Sequence, residues 1–187
     1  MEYKIKVGIS NKHVHLTKEV YEQLFNEPLE KAKDLNQVGE FASNQFVDLK
    51  TEQGIISHVR IVGPLRKYNQ VELCQSDAYR LGLKPPVRRS GDLANSSSIT
   101  LIGPKGEIKL DNVCILAERH VHMNTKELEK YGVKDGQLVQ IVVPGSRRAI
   151  LDAHIKASDN GYMELHIDRD EANALLLEND QEVTLVV

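Results

Sequence analysis

Lys12-His13-Val14-His15-Leu16-Thr17-Lys18-Glu19 and Arg119-His120-Val121-His122-Met123-Asn124-Thr125-Lys126 are two versions of one phrase. Each runs a basic residue, His-Val-His, an apolar residue and then the start of a helix. The alternation of polar and apolar side chains marks a short strand, and Thr17 or Asn124 is placed to cap the helix after it. The chain therefore carries the same strand-to-helix corner twice. Two copies roughly 100 residues apart fit two small β domains, each presenting one corner, with the active surface between them.

Outward from these corners, Gly and Asp/Asn punctuation divides the chain into short pieces of alternating polarity, the pattern of hairpins. The expected pairs are Gln45 to Leu49 with Ile55 to Val62, Ser98 to Ile102 with Glu107 to Leu110, and Leu138 to Val143 with Ala149 to Lys156. A fourth, Tyr162 to Ile167 with Glu182 to Val187, is interrupted by a helix whose start is marked by Asp168 and, three residues on, Glu171. Short helices are also expected from Lys18 to Phe25 and from Thr125 to Tyr131, the latter stopped by Gly132. Many short strands and few helices predict barrels or sandwiches rather than βαβ units. Gly-rich dinucleotide and P-loop signatures are absent.

Composition narrows the function classes. The 187 residues carry 24 basic and 27 acidic side chains, a formal charge of -3, which argues against a chain that coats nucleic acid or anionic lipid. The 41% of hydrophobic residues can build a core, but only 5% of the chain is aromatic, so packing must rest on Val, Ile and Leu, residues that favour strands. No apolar run is long enough for a membrane span, and the N-terminus lacks the features of a secretory signal. Cys74 and Cys114 stand apart rather than in a CxxC pair. The expectation is a cytoplasmic protein with reduced thiols.

Side chains two apart on a strand share a face, so His13 and His15 can lean on one ion, and so can His120 and His122. A lone HxH is weak and reads equally as surface polarity; two in matching contexts favour metal. His166, at a strand end before the capped helix, either completes one set or is a satisfied structural histidine. His58 and His154 read as structural. Glu72 shares its strand face with Gln70 and Cys74 and is either solvent-facing or coordinated. Cys74 is a small buried hydrophobe or a soft ligand. Arg66, in a Gly-Pro loop, has the planar fork suited to phosphate or carboxylate. Together with Arg88-Arg89 and Arg147-Arg148 it is compatible with a ligand carrying several phosphates.

Five stretches then resemble one family in order and spacing: Ser10-Asn11-Lys12-His13-Val14-His15-Leu16, Val62-Gly63-Pro64-Leu65-Arg66 with Gln70-Val71-Glu72, Arg88-Arg89-Ser90-Gly91-Asp92-Leu93, Arg119-His120-Val121-His122-Met123, and His166-Ile167-Asp168-Arg169-Asp170-Glu171-Ala172-Asn173. They resemble the PduL-type phosphate propanoyltransferases (phosphotransacylases), nearly end to end. The resemblance implies a mainly β fold of two antiparallel β-barrel domains with short α-helices, the N-terminal strand completing the C-terminal barrel. The expected domains are 12–117, and 1–11 with 118–187. It further implies two divalent metal ions, usually zinc: His13, His15 and Glu72 would hold one, His120, His122 and His166 the other. Arg66 would hold phosphate, and Ser10, Arg60 and Asn173 would contact coenzyme A. Asn11 and Lys12 depart from the more usual residues before the first His-Val-His, and Arg169 stands where threonine is common. Only Met1 to Lys6 precede the first strand, which suggests a form without a microcompartment-targeting extension.

The implied reaction, known from propanediol degradation, converts a short-chain acyl-CoA, propanoyl-CoA or acetyl-CoA, plus phosphate into acyl phosphate plus CoA. Direct attack by metal-bound phosphate at a dimetal site is expected, with neither cysteine as nucleophile. No nucleic-acid or membrane partner is expected, and a homodimer is compatible with the reading. Two alternatives remain from the residues alone. One is a dimetal hydrolase of phosphoesters or amides, weakened because Thr17 and Asn124 occupy the aspartate position of an HxHxD motif. The other is a non-catalytic metal-binding module.

Overall fold

The computed structural model describes residues 1–187. Its strands are β1 (Glu2–Ser10), β2 (His13–His15), β3 (Lys31–Asp34), β4 (Phe41–Lys50), β5 (Ile55–Gly63), β6 (Gln70–Leu73), β7 (Val87–Arg88), β8 (Ser97–Gly103), β9 (Gly106–Ala117), β10 (His120–Asn124), β11 (Leu138–Val143), β12 (Ala149–Ser158), β13 (Glu164–Asp168) and β14 (Glu182–Val186). Helices α1 (Lys18–Leu24), α2 (Gln75–Arg80), α3 (Leu128–Tyr131) and α4 (Arg169–Leu175) join them. The chain divides into a middle unit, Asn11–Ala117, and a split unit, Met1–Ser10 with Glu118–Val187.

Each unit closes a six-stranded ring. In the split unit the order is β1-β13-β10-β12-β11-β14, with β14 returning to β1. In the middle unit it is β4-β5-β2-β6-β9-β8, closed because β8 pairs with both β9 and β4, while β3 and β7 lie outside the ring. Closure leaves no unpaired strand edge in either ring. The mainly β, two-barrel architecture is thus as expected, with strand directions mixed: β1·β13 and β10·β12 run parallel in one ring, β2·β5 and β6·β9 in the other, and the remaining pairs within the rings are antiparallel.

The two rings repeat one another. β2, β4, β5, β6, β8 and β9 correspond in neighbours and direction to β10, β11, β12, β13, β14 and β1. His13 stands opposite Arg60 and Glu72 on its two neighbouring strands, and His120 stands opposite His154 and His166. The first strand of each half-chain is exchanged: β1 closes the barrel built from the second half, and β9 closes the barrel built from the first. This exchange corrects one expected pairing. β13 and β14 are not a hairpin, because β1 lies between them, parallel to β13 and antiparallel to β14. Helix α4 carries the chain one strand over, and Asp180 N–H and Gln181 C=O bond to the backbone of Val7. The other three hairpins form.

Helix starts follow the side-chain chemistry. Thr17 accepts from Val20 N–H at the head of α1, and Asp168 and Glu171 form a reciprocal capping box on α4. Gly132 ends α3 at φ 65°, a left-handed conformation that a Cβ disfavours. Each barrel has its own core, and the His-Val-His valine is fully buried in both: Val14 in one, Val121 in the other. Side chains alternate along a strand, so burying the valine turns both flanking histidines to the outer face. A one-residue slip would expose a valine whose burial contributes about 1.5–3 kcal/mol, and it would drive two imidazoles inward. The core therefore sets where the histidines point. No helix is long and apolar enough to cross a membrane.

Candidate functional site

On the outer face of the middle barrel, His13, His15 and Glu72 present donor atoms within 4.8 Å of one another, and on the split barrel His120, His122 and His166 do the same. Both sets use one construction. Two donors come from the His-Val-His strand and the third from its antiparallel neighbour, directly opposite the first histidine.

The first histidine of each pair is oriented by the chain just before it. His13 Nδ1 lies 2.7 Å from Asn11 O, and His120 Nδ1 lies 2.7 Å from Glu118 O. A carbonyl can only accept, so Nδ1 carries a proton and Nε2 is the nitrogen turned to the donor set. His15 Nδ1 is likewise 3.1 Å from Val62 O. The basic residue preceding each His-Val-His ties it to the helix after the third-donor strand: Lys12 Nζ is 3.1 Å from Asp77 on α2, and Arg119 Nε is 2.8 Å from Glu171 on α4. That accounts for the basic residue in the repeated phrase.

The residues fit divalent metal. His120 Nε2 and His122 Nε2 are 3.1 Å apart, close to the roughly 3.3 Å that separates two nitrogens bound tetrahedrally at zinc distances. His122 Nδ1 is buried without a hydrogen-bond partner. Burial, with the adjacent His13 and Arg66, holds the His15 imidazole well below the ordinary histidine range; burial, with His166, His120 and Lys156, lowers His122 strongly. Both rings are neutral, the form that ligates metal.

Two buried neutral imidazoles also make the metal-free protein sensitive to acid. An unfolded chain protonates its histidines below about pH 6.5, whereas folded His15 and His122 resist protonation. Stability should therefore fall as the pH drops below that value, by up to about 1.4 kcal/mol per pH unit for each group. Urea unfolding of chelator-treated protein at about pH 7.5 and about pH 5.5 tests this. A lower midpoint at the acid pH is expected, and equal midpoints would contradict it.

Arg66 sits on the loop following β5. Its backbone N–H donates to Leu16 O at 2.8 Å, and Asn69 Oδ1 on the same loop accepts from Thr17 N–H, so the loop is pinned to the end of the His-Val-His strand. Its guanidinium meets Glu40 at 2.7 Å, Tyr68 Oη at 2.9 Å and Ser90 Oγ at 3.4 Å. Gln70, fully buried, donates to Glu72 at 2.6 Å and to Ser90 at 2.8 Å, which links the Arg66 surroundings to the His13–His15–Glu72 cluster. Of the three residues expected at coenzyme A, Ser10 ends β1 and exposed Asn173 lies on α4 of the split unit, whereas Arg60 is on β5 of the middle unit. The Arg60 guanidinium lies over the Phe46 ring and donates to Ser43 O.

Cys74 leaves the donor face: it precedes α2, with Sγ 3.2 Å from Asp77. His58 stacks on Phe46, and His154 Nδ1 is 3.1 Å from a Glu118 carboxylate oxygen. Sequence reasoning missed Glu164, buried and 2.6 Å from His166 Nε2, as well as Glu40, Tyr68 and Ser90 around Arg66. The available signal was positional, since Glu164 stands two before His166 as Gln70 stands two before Glu72.

Comparison with known proteins agrees in class. The family described as phosphate propanoyltransferase matches residues 6–178. The phosphate propanoyltransferase of Thermotoga maritima is 44% identical over 186 residues, 97% of this chain and 89% of the relative. Those of Lachnoclostridium phytofermentans and Citrobacter freundii are 42% and 37% identical, covering 98% and 100% of this chain and 88% and 90% of their own lengths. The double barrel and its relatives define an acyltransferase. The chain belongs to the phosphate propanoyltransferase family.

Proposed function

We propose that the enzyme transfers a short acyl group reversibly between coenzyme A and inorganic phosphate. His13, His15 and Glu72 would hold one divalent ion and His120, His122 and His166 a second. The observation that carries this reading is the repeated three-donor set, built at equivalent positions of both barrels. When bound, divalent ions supply positive charge that polarises a thioester carbonyl and stabilises a departing thiolate.

The chain's own residues do the rest. Arg66 takes phosphate through its planar fork, with Tyr68 and Ser90 as further polar partners, and exchanges its Glu40 contact for the incoming anion. Holding phosphate against the thioester carbon removes much of the entropic cost of bringing them together. A phosphate oxygen forms the new C–O bond, the C–S bond breaks, and coenzyme A leaves as thiolate. Ser10, Arg60 and Asn173 would contact the coenzyme.

Direct attack is favoured over an acyl-enzyme. Burial raises the Cys74 thiol and pushes Cys114 up to about 12, so both remain protonated and poorly nucleophilic at neutral pH. Their free, buried state also suits a reducing cytoplasm. A hydrolase reading loses further ground, since Thr17 and Asn124 are committed to capping helices where HxHxD would need a carboxylate.

Thiol release from propanoyl-CoA or acetyl-CoA, followed with and without phosphate, tests the function. Strictly phosphate-dependent release is expected; phosphate-independent release would establish a hydrolase, and no release from metal-replete protein a binding module. Arg66→Ala should retain metal yet raise the phosphate KM by about 10²-fold, the loss of a charge-assisted contact worth roughly 2–3 kcal/mol. Normal phosphate saturation in this variant would remove Arg66 from the anion site.

A further inference from the structure

Three linked differences separate the two outer faces at their donor clusters. Where the middle barrel has Gln70, Glu72 and Ile115 across adjacent strands, the split barrel has Glu164, His166 and Gly8. In the middle barrel the carboxylate belongs to the donor set, and the residue behind it is a neutral amide, Gln70 Nε2, 2.6 Å from Glu72. In the split barrel the donor set is three imidazoles, and the carboxylate stands behind, Glu164 Oε2 2.6 Å from His166 Nε2. Each face thus has one carboxylate at its donor cluster, in swapped layers. Gly8 explains how Glu164 fits: a Cβ at that position would lie 2.5 Å from Glu164 Oε2 and 2.9 Å from His166 Cδ2. The isoleucine of the other barrel could not stand there.

We infer that Glu164 is the positioning residue of the three-histidine set: it holds the His166 proton on Nε2, frees Nδ1 as the donor, and supplies the negative charge that the set itself lacks, with Gly8 making the space. This rests on the reading that the sets hold metal. A buried carboxylate accepting from a ligand histidine fixes the ring's tautomer and orientation and makes it a better donor. His166 then differs from His13 and His120, whose Nδ1 atoms face backbone carbonyls and whose Nε2 atoms face other members of their own sets, Glu72 and His122.

The test is Glu164→Gln, which keeps the volume and removes the charge, alongside Gly8→Ala, which displaces the carboxylate without altering it. Chelator-stripped protein is titrated with zinc against a chromophoric chelator, and histidine tautomers are read from imidazole ¹⁵N shifts of the metal-free protein. Wild type should take up two ions and show His166 protonated on Nε2. Both variants should keep one affinity unchanged, weaken the other by about 10- to 100-fold, and lose the single His166 tautomer. Thermal melts of the metal-free variants confirm that they remain folded. Two unchanged affinities in folded Glu164→Gln would refute the role of Glu164. A wild type that binds no zinc would instead refute the metal reading on which it stands.

Discussion

Replacing His120 with alanine should reduce bound metal from two ions per chain to one and lower turnover by about a thousandfold or more. His120 is the hub of its set: Nε2 faces His122 Nε2 at 3.1 Å, its ring centroid is 5.4 Å from that of His166, and its Nδ1 is fixed by Glu118 O. Without it two donors remain on different strands, one of them the buried His122. Removing a single preorganised group that stabilises developing charge typically costs 10²–10³-fold in rate, and here a whole ion's charge is lost with the side chain. The control lies next door. His154 occupies the same row on the adjacent strand but belongs to neither donor set, so His154→Ala should keep both ions. Metal analysis of dialysed protein, read beside the thiol-release rate, decides the matter. Two retained ions in His120→Ala, or normal turnover with one, would overturn the assignment.

The parts of this architecture that depend on local sequence were legible, and those that depend on pairing across long stretches were not. His-Val-His announces its own geometry, because two imidazoles flanking a buried valine must share the outer face. The caps at Thr17, Asn124 and Asp168 are equally local. The third donors are different: Glu72 and His166 join their histidines through strand pairing over many intervening residues, so the residues alone left each open between ligand and bystander, and only the resemblance assigned them to a set. Helix α2 went unnoticed because Cys74 precedes it without a side-chain capping bond. Glu164 escaped for a subtler reason. In an alternating strand it reads as one more solvent-facing carboxylate, and Gly8 as one more strand glycine; each makes sense only beside the other, and β1 and β13 are at opposite ends of the chain.

The same long-range pairing makes β1 a point of failure, so Val7→Asp should cripple the split barrel. Val7 is completely buried in a core shared with Val121, Ile155 and Leu165, and its backbone is bonded to Asp180 and Gln181 while β1 bridges β13 and β14. An unpartnered carboxylate in that core costs several kcal/mol, against a total stability of about 5–15 kcal/mol for a typical domain. The melting temperature should fall by about 10 °C or more, with amide protection lost across residues 118–187. Lys4→Asp places the same charge on the same strand where the side chain is exposed and bonds only to Thr184 Oγ1. It should shift stability by less than about 1 kcal/mol, which separates burial from any general effect of charge on β1. A Val7→Asp protein that melts like wild type would mean that β1 does not close this barrel. The proposed role of Gly8, one residue further along the same strand, would then lose its structural basis as well.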